Sequence, residues 1–243
     1  MSSPSPEILT YLEGTTITLT PSPNSPLDIG RTRWEIVRKI HERVRFVTQE
    51  DVTSGIGPAY VAGKFLCRHT TRTDSNELSF LRIHKQIPIA GTEFQKAPIR
   101  AAQAVDSYEP TELTALKSLQ EKGCDVTPRL LGYQFDQQDR DDPVPGGFMI
   151  YVMWAKVPGE SLDWGVFWSS SFSQRQDIRA KFREVYLHLS GLSLARPAST
   201  AEGTQWSDRV YVAYGLVQPP TILDRYFPIT SVDLQYDDKG WRW

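Results

Sequence analysis

Cysteine is scarce in this 243-residue sequence. Only Cys67 and Cys124 occur, which excludes a disulfide framework and leaves no zinc-type spacing. Two half-buried thiols in a reducing compartment are the expectation. No apolar run approaches the ~20 residues that span a bilayer, so no membrane helix is expected. The opening MSSPSPEILTYLEG lacks the basic start and apolar core of a secretory signal, which points to the cytoplasm. Positive charge is not in excess either. With 27 Lys and Arg against 29 Asp and Glu the net charge is −2, which argues against general affinity for nucleic acid or anionic membranes. Histidine is rare, and His41 and His84 stand alone without ligand spacing; a surface or satisfied core histidine is expected at each.

What is present is an ordinary globular composition, 40% hydrophobic and 23% charged, enough for one large domain or two small lobes. The most informative stretch is Pro145–Leu162, PGGFMIYVMWAKVPGESL. Gly146-Gly147 closes a charged loop, Phe148–Trp154 has the make-up of a buried strand, and Val157-Pro158-Gly159 breaks it. A strand, a short connector and then helices is how the two lobes of a protein-kinase-like fold join. Residues 1–30 are rich in Ser, Pro and Thr and read as a flexible arm. A short strand in Tyr11–Thr20 would put Ile17 and Leu19 on one face. Arg33–Val47, RWEIVRKIHERVRFV, favours a helix on the local spacing of Trp34, Val37, Ile40, His41, Val44 and Val47, with a first strand as the competing assignment.

Thr53–Pro58, TSGIGP, carries Gly55 and Gly57. In such a fold a glycine turn lets backbone N–H groups approach phosphate. Tyr60 stands where the third glycine of G-x-G-x-x-G belongs, so an ordinary loop is the competing reading. Ala59–Thr70 and Glu77–Ile87 read as a hairpin joined by TRTDSN. Alternation puts Phe80, Arg82 and His84 on one face and Leu81 and Ile83 on the other. A cation on a half-buried strand needs an anionic partner. Glu112 is the candidate, on a helix over Glu109–Lys122 with Thr111 as N-cap, Leu113, Leu116 and Leu119 as apolar stripe, and Gly123 at its end; an ordinary surface glutamate is the alternative. Val126–Phe135 and Phe148–Trp154 form a second hairpin, completing an antiparallel sheet of about five strands with one helix. Beyond the connector, Gln174–Leu189 reads as an amphipathic helix capped by Ser173, with Ile178, Phe182, Val185 and Leu189 on its apolar side. Trp164, Phe167, Trp168 and Phe172 are expected to pack around it.

The segments ELSFLRIHKQIP, ELTALKSLQEKGCDVTPRLLGY, VPGGFMIYVMWAKVPGESL and IRAKFREVYLHL resemble kinase-like proteins related to the aminoglycoside and choline phosphotransferases, in particular a divergent group common in filamentous fungi. The resemblance implies an α+β, protein-kinase-like fold: an arm over 1–30, an antiparallel-sheet small lobe over 31–155 and an incomplete helical large lobe over 156–243. It implies ATP as ligand. Gly55 and Gly57 would lie at the phosphates, Arg82 at the family's phosphate-facing lysine position with Glu112 as its helix partner, and Met153, Trp154 and Ala155 along the adenine. The sequence departs from the family after Leu189, where no H-G-D-x-x-x-x-N loop follows. The closing VDLQYDDKGWRW reads as a small hairpin turning at Asp238-Lys239-Gly240. Phosphoryl transfer depends on aspartate-held magnesium, so weak ATP binding without a magnesium site is expected. The reading is a non-catalytic, pseudokinase-like or accessory binding protein. The alternative is a phosphotransferase acting on a small hydroxylated or amino metabolite through Asp224 or Asp233. A protein partner or a second copy of the chain is expected to dock where missing helices leave Ile178, Phe182 and Val185 uncovered; nucleic acid and membrane are not expected partners.

Overall fold

The computed structural model describes residues 7–20, 31–70, 78–106, 108–191, 206–220 and 233–243. The TRTDSN turn, Asp224 and the prolines expected to stop the first strand lie outside them. The chain divides into two compact units, Met1–Val157 and Pro158–Trp243.

The first unit is an antiparallel sheet of six strands: β1 (Thr16–Leu19), β2 (Thr32–Arg45), β3 (Tyr60–His69), β4 (Leu78–Gln86), β5 (Leu130–Gln137) and β6 (Phe148–Ala155), in the order β1-β2-β3-β4-β6-β5. Alternation assigns its faces. Trp34, Ile36, Val61, Phe65, Cys67, Leu81, Ile83 and Met153 form one buried cluster on the inner face, joined by Leu9 and Leu19. The sheet curls around this cluster until its edges approach. Thr20 N donates to Gln134 Oε1 (2.9 Å), and a Cβ on Gly132 of β5 would sit 3.5 Å from Leu19 Cδ1 of β1. The result is a nearly closed, barrel-like sheet. The described residues before β1 belong to it: the Glu42 carboxylate accepts from the N–H groups of Ile8 (2.7 Å) and Leu9 (3.0 Å) and from Lys39 Nζ (2.6 Å).

Arg33–Arg45 lies in strand β2 and not in the helix that the spacing of Arg33–Val47 favours. The register with β3 slips between Ile36 and Arg38 and again between Lys39 and His41. Each bulge inserts one residue. The positions opposite the inward-facing residues of β3 therefore fall at Trp34, Ile36, Lys39, Glu42 and Val44, and gaps of two and three imitate a helical period.

Three short helices accompany the sheet: α1 (Gln49–Thr53), α2 (Ala97–Ala101) and α3 (Thr111–Glu121). Helix α3 covers the outer face through Leu113, which packs with Leu130, Phe148, Ile150, Val152 and Trp154. Its N-cap is Pro110, with no side-chain hydrogen bond, where Thr111 was expected. Gly123, at φ +68°, ends it as expected, with Cys124 N donating to Leu119 O (3.0 Å).

In the second unit, α4 (Trp164–Ser169), α5 (Phe172–Gly191) and α6 (Arg209–Ala213) surround an aromatic cluster of Phe167, Trp168, Tyr211, Leu216 and Val217, against which Ile178, Phe182, Trp241 and Trp243 pack. Ser171, two residues before the expected cap, begins α5: its Oγ accepts from Gln174 N (3.3 Å) and its N–H donates to Gln174 Oε1 (3.0 Å). The buried side of α5 carries Arg175 and Arg179, whereas Val185 is exposed. Both guanidiniums are held by carbonyls: Arg175 donates to the carbonyls of Ser170, Asp233 and Trp243, Arg179 to Leu216 O. The closing hairpin forms as expected, with Tyr236 bridged to Arg242 and Gly240 N donating to Asp237 O (2.9 Å).

The expected protein-kinase-like fold with a helical large lobe is therefore corrected. The sheet gains a sixth strand and an inner plug, Leu9, so its main core lies inside the curl. Among the described residues of the second unit, what packs on α5 is the short helix α4, a five-residue helix, the Leu216–Val217 stretch and a hairpin. Among the described residues no helix is long and apolar enough to cross a membrane.

Candidate functional site

On the outer face of β2, β3 and β4 three basic side chains stand in one row. His41 is directly paired with Lys64, and Lys64 with Arg82. Like charges directly opposite on neighbouring strands destabilise a sheet. Aromatic rings flank the row. Lys64 Nζ lies 3.8 Å above the Phe80 ring centroid and 5.8 Å from that of Trp154, and Arg82 Cζ lies 5.5 Å from Trp154. Only one carboxylate is seen to answer the row among the described residues: Glu112, on the first turn of α3, places Oε2 3.0 Å from Arg82 Nη1. The pairing of Arg82 with Glu112 proposed from alternation and helix spacing is thus formed.

The electrostatics follow the geometry. Burial holds the Lys64 ammonium below its ordinary value and Arg82 pushes it further down, with Glu112 offsetting part of this. His41 is lowered first by burial, then by Arg82, Arg43 and Lys64. The row is short of negative charge.

Two residues along β4 from Arg82, His84 is buried with no hydrogen-bond partner on either ring nitrogen. Its Nε2 lies 3.9 Å from Glu112 Oε2. Tyr60 and Tyr108 pack their rings beside it.

The other expected site residues are placed elsewhere. Gly55 and Gly57 adopt φ of +77° and +95° at the end of α1. The N–H groups of Gly55 and Ile56 are taken by Val52 O and Asp51 O, and Arg45 Nη2 donates to Ile56 O (2.6 Å). Arg45 pairs with Tyr60, which lies four residues from Lys64, or about 13 Å along the strand. The glycine turn is thus braced by its own backbone, away from the row. Met153, Trp154 and Ala155 are not a free connector. They are the end of β6, paired with Leu81, Phe80 and Ser79 of β4. Met153 points into the inner core, and only Trp154 reaches Arg82. Asp233 accepts from Phe172 N (2.8 Å) at the start of α5. Among the described residues no group of three or more His, Cys, Asp or Glu side chains is placed to hold a metal ion.

The sequence does not mark Lys64 or Phe80 as site residues, and it offers His41 and His84 as ordinary histidines. The alternation of β3 holds the signal for Lys64: its neighbours Phe65 and Gly63 face inward. For His41 the bulges of β2 remove that signal.

Comparison with protein-family models, with curated proteins and with solved structures returned no match. The functional reading rests on the geometry of this face.

Proposed function

We propose that the chain is a non-catalytic binding protein for a phosphate-bearing small molecule of the nucleotide class, held on the outer face of β2–β4. One observation carries the reading: His41, Lys64 and Arg82 are paired directly across three strands with, among the described residues, a single carboxylate against them. A phosphate seated over Lys64 and Arg82 relieves their repulsion and forms charge-assisted hydrogen bonds. The Phe80 ring offers an apolar flank for the rest of the ligand. Binding through side-chain cations needs no magnesium. Transfer chemistry is not part of the reading, because Asp233 is committed to the start of α5 and the sequence carries no H-G-D loop. A small ligand is favoured over docking through α5, since Phe182 is covered by Tyr211 and Tyr214 within its own unit.

The test is a thermal-shift and calorimetric titration with pyrophosphate and with ATP, each with and without magnesium. A ligand that binds only the folded state adds about 2.7 kcal/mol of stability at a hundredfold excess over its Kd. Binding is expected without magnesium, and weakened about tenfold or more in Lys64→Ala and in Arg82→Ala. Failure of wild-type protein to bind either compound sinks the reading, as does full affinity in both variants. Magnesium-dependent turnover of ATP would replace it with a phosphotransferase.

A further inference from the structure

Beneath the basic row one carboxylate oxygen is contested. Arg82 Nη1 and His84 Nε2 approach the same Glu112 Oε2, at 3.0 Å and 3.9 Å. The His84 side chain is only 7% exposed and neither ring nitrogen has a hydrogen-bond partner. Buried polar nitrogens left unpaired are costly and call for explanation. The groups facing the imidazole can be named. Tyr60 of β3 lies 5.9 Å away between ring centroids, and Tyr108, on the segment leading into α3, 6.5 Å. Arg45 of β2 lies over Tyr60, Ala62 and Ile150 are the cross-strand neighbours of His84 on β3 and β6, and Glu112 comes from α3. Burial, and then the hydrogen bond with Tyr60, raise the Tyr108 phenol, which stays neutral. Glu112 is thus the anion His84 can turn to; its Oε2 lies within ion-pair range of Arg82 Nη1 but makes no hydrogen bond among the described residues.

Building on the anion-binding reading above, we propose that His84 is a proton-coupled positioning residue for that site. When a phosphate draws Arg82 off Glu112, the imidazole takes one proton from solvent and replaces Arg82 as the carboxylate's partner. The nitrogen needs to move only about 1 Å to reach charge-assisted hydrogen-bond distance. No other bond is made or broken. Without this exchange, a ligand capturing Arg82 strands the Glu112 carboxylate. With it, ligand binding and proton uptake are linked, and linkage is reciprocal. The sign follows: the bound state holds more protons, so affinity rises as pH falls.

His41 also titrates on this face, and the ligand's own phosphate titrates as well. Both are removed by comparing two proteins with one ligand. Pyrophosphate is titrated calorimetrically into His41→Gln and into His41→Gln/His84→Gln, near pH 7, in two buffers of different ionisation enthalpy. The single variant is expected to take up more protons per ligand, by a substantial fraction of one. Its affinity gain between pH 8 and pH 6 should exceed that of the double variant, up to about tenfold per pH unit for one linked proton. Should His84→Gln fail to fold, Glu112→Gln in the His41→Gln background serves instead. It frees Arg82, so binding at pH 8 should tighten while the extra uptake disappears. A merely structural His84 predicts neither change. Equal proton uptake in all these proteins, with pyrophosphate bound, overturns the relay and leaves the binding site standing. Absence of pyrophosphate binding to the wild-type chain takes both down.

Discussion

The inner and outer faces of β2, β3 and β4 are made from interleaved residues of the same strands, and they obey opposite rules. Inside, Ile36, Val61, Phe65, Cys67 and Leu81 are fully buried and pack on one another. Burial pushes the Cys67 thiol up to about 12, so it acts as a small apolar group. Outside, His41, Lys64 and Arg82 set cation against cation. Apolar cross-strand pairs favour the sheet and like-charge pairs oppose it. The inner face therefore supplies the stability that lets the outer face keep an arrangement unfavourable by itself. Binding sites are often regions that fold stability alone would not select.

The contrast is broken most strongly from the inside. Phe65→Ala removes a fully buried ring from the centre of the curl. A loss of about 3–5 kcal/mol is expected, read from the denaturant midpoint. A loss below about 1 kcal/mol would mean the inner cluster is not the main core.

Glu42 extends the comparison to a charge on the inner side. Burial pushes its carboxyl up, but the hydrogen bonds from Lys39 and from the Ile8 and Leu9 N–H groups outweigh this and hold it below its ordinary value. A depressed carboxyl contributes stability that is present above its unfolded-state value, about 4.3, and is lost as pH falls through the lower folded value. Glu42→Gln should cost about 1–3 kcal/mol at neutral pH and flatten the acid limb of a pH–stability curve. An unchanged acid limb would show that residues 7–12 are held by Leu9 packing rather than by this carboxylate.

The two faces were not equally legible in the sequence. Arg82 and Glu112 could be paired in advance because each sits in a regular element, a two-residue alternation meeting the first turn of a helix. Most of the strands, the α3 stripe and the closing hairpin were legible for the same reason. His41 and its alignment with Lys64 were hidden, since two bulges convert the alternation of β2 into gaps of two and three. The sequence leaves Gly55 and Gly57 ambiguous for another reason. A phosphate turn and a helix-ending loop both require positive φ, and only the hydrogen bonds of the turn tell them apart. In α5, Arg175 and Arg179 look solvated in a helical pattern. The carbonyls that let them be buried come from Leu216, Asp233 and Trp243, distant in the chain.

Lys64→Met gives the smallest effect on folding and the clearest on the comparison. The substitution keeps most of the apolar stem while deleting the Nζ charge that lies over Phe80 and opposes Arg82 and His41. The Lys64 ammonium is held low by burial first and Arg82 second, so its charged form opposes folding. That penalty is in force below its folded-state value and lifts as pH rises toward ~10.5. Removing the charge at pH 7 should therefore leave stability unchanged or raise it by roughly 0.5 kcal/mol or less, solvent screening limiting the gain. The same variant should bind pyrophosphate about tenfold more weakly. Opposite signs for folding and binding in one substitution are what a site kept for its ligand predicts. A variant that loses stability and keeps its affinity would make Lys64 an ordinary packing residue and return the outer face to a solvated surface.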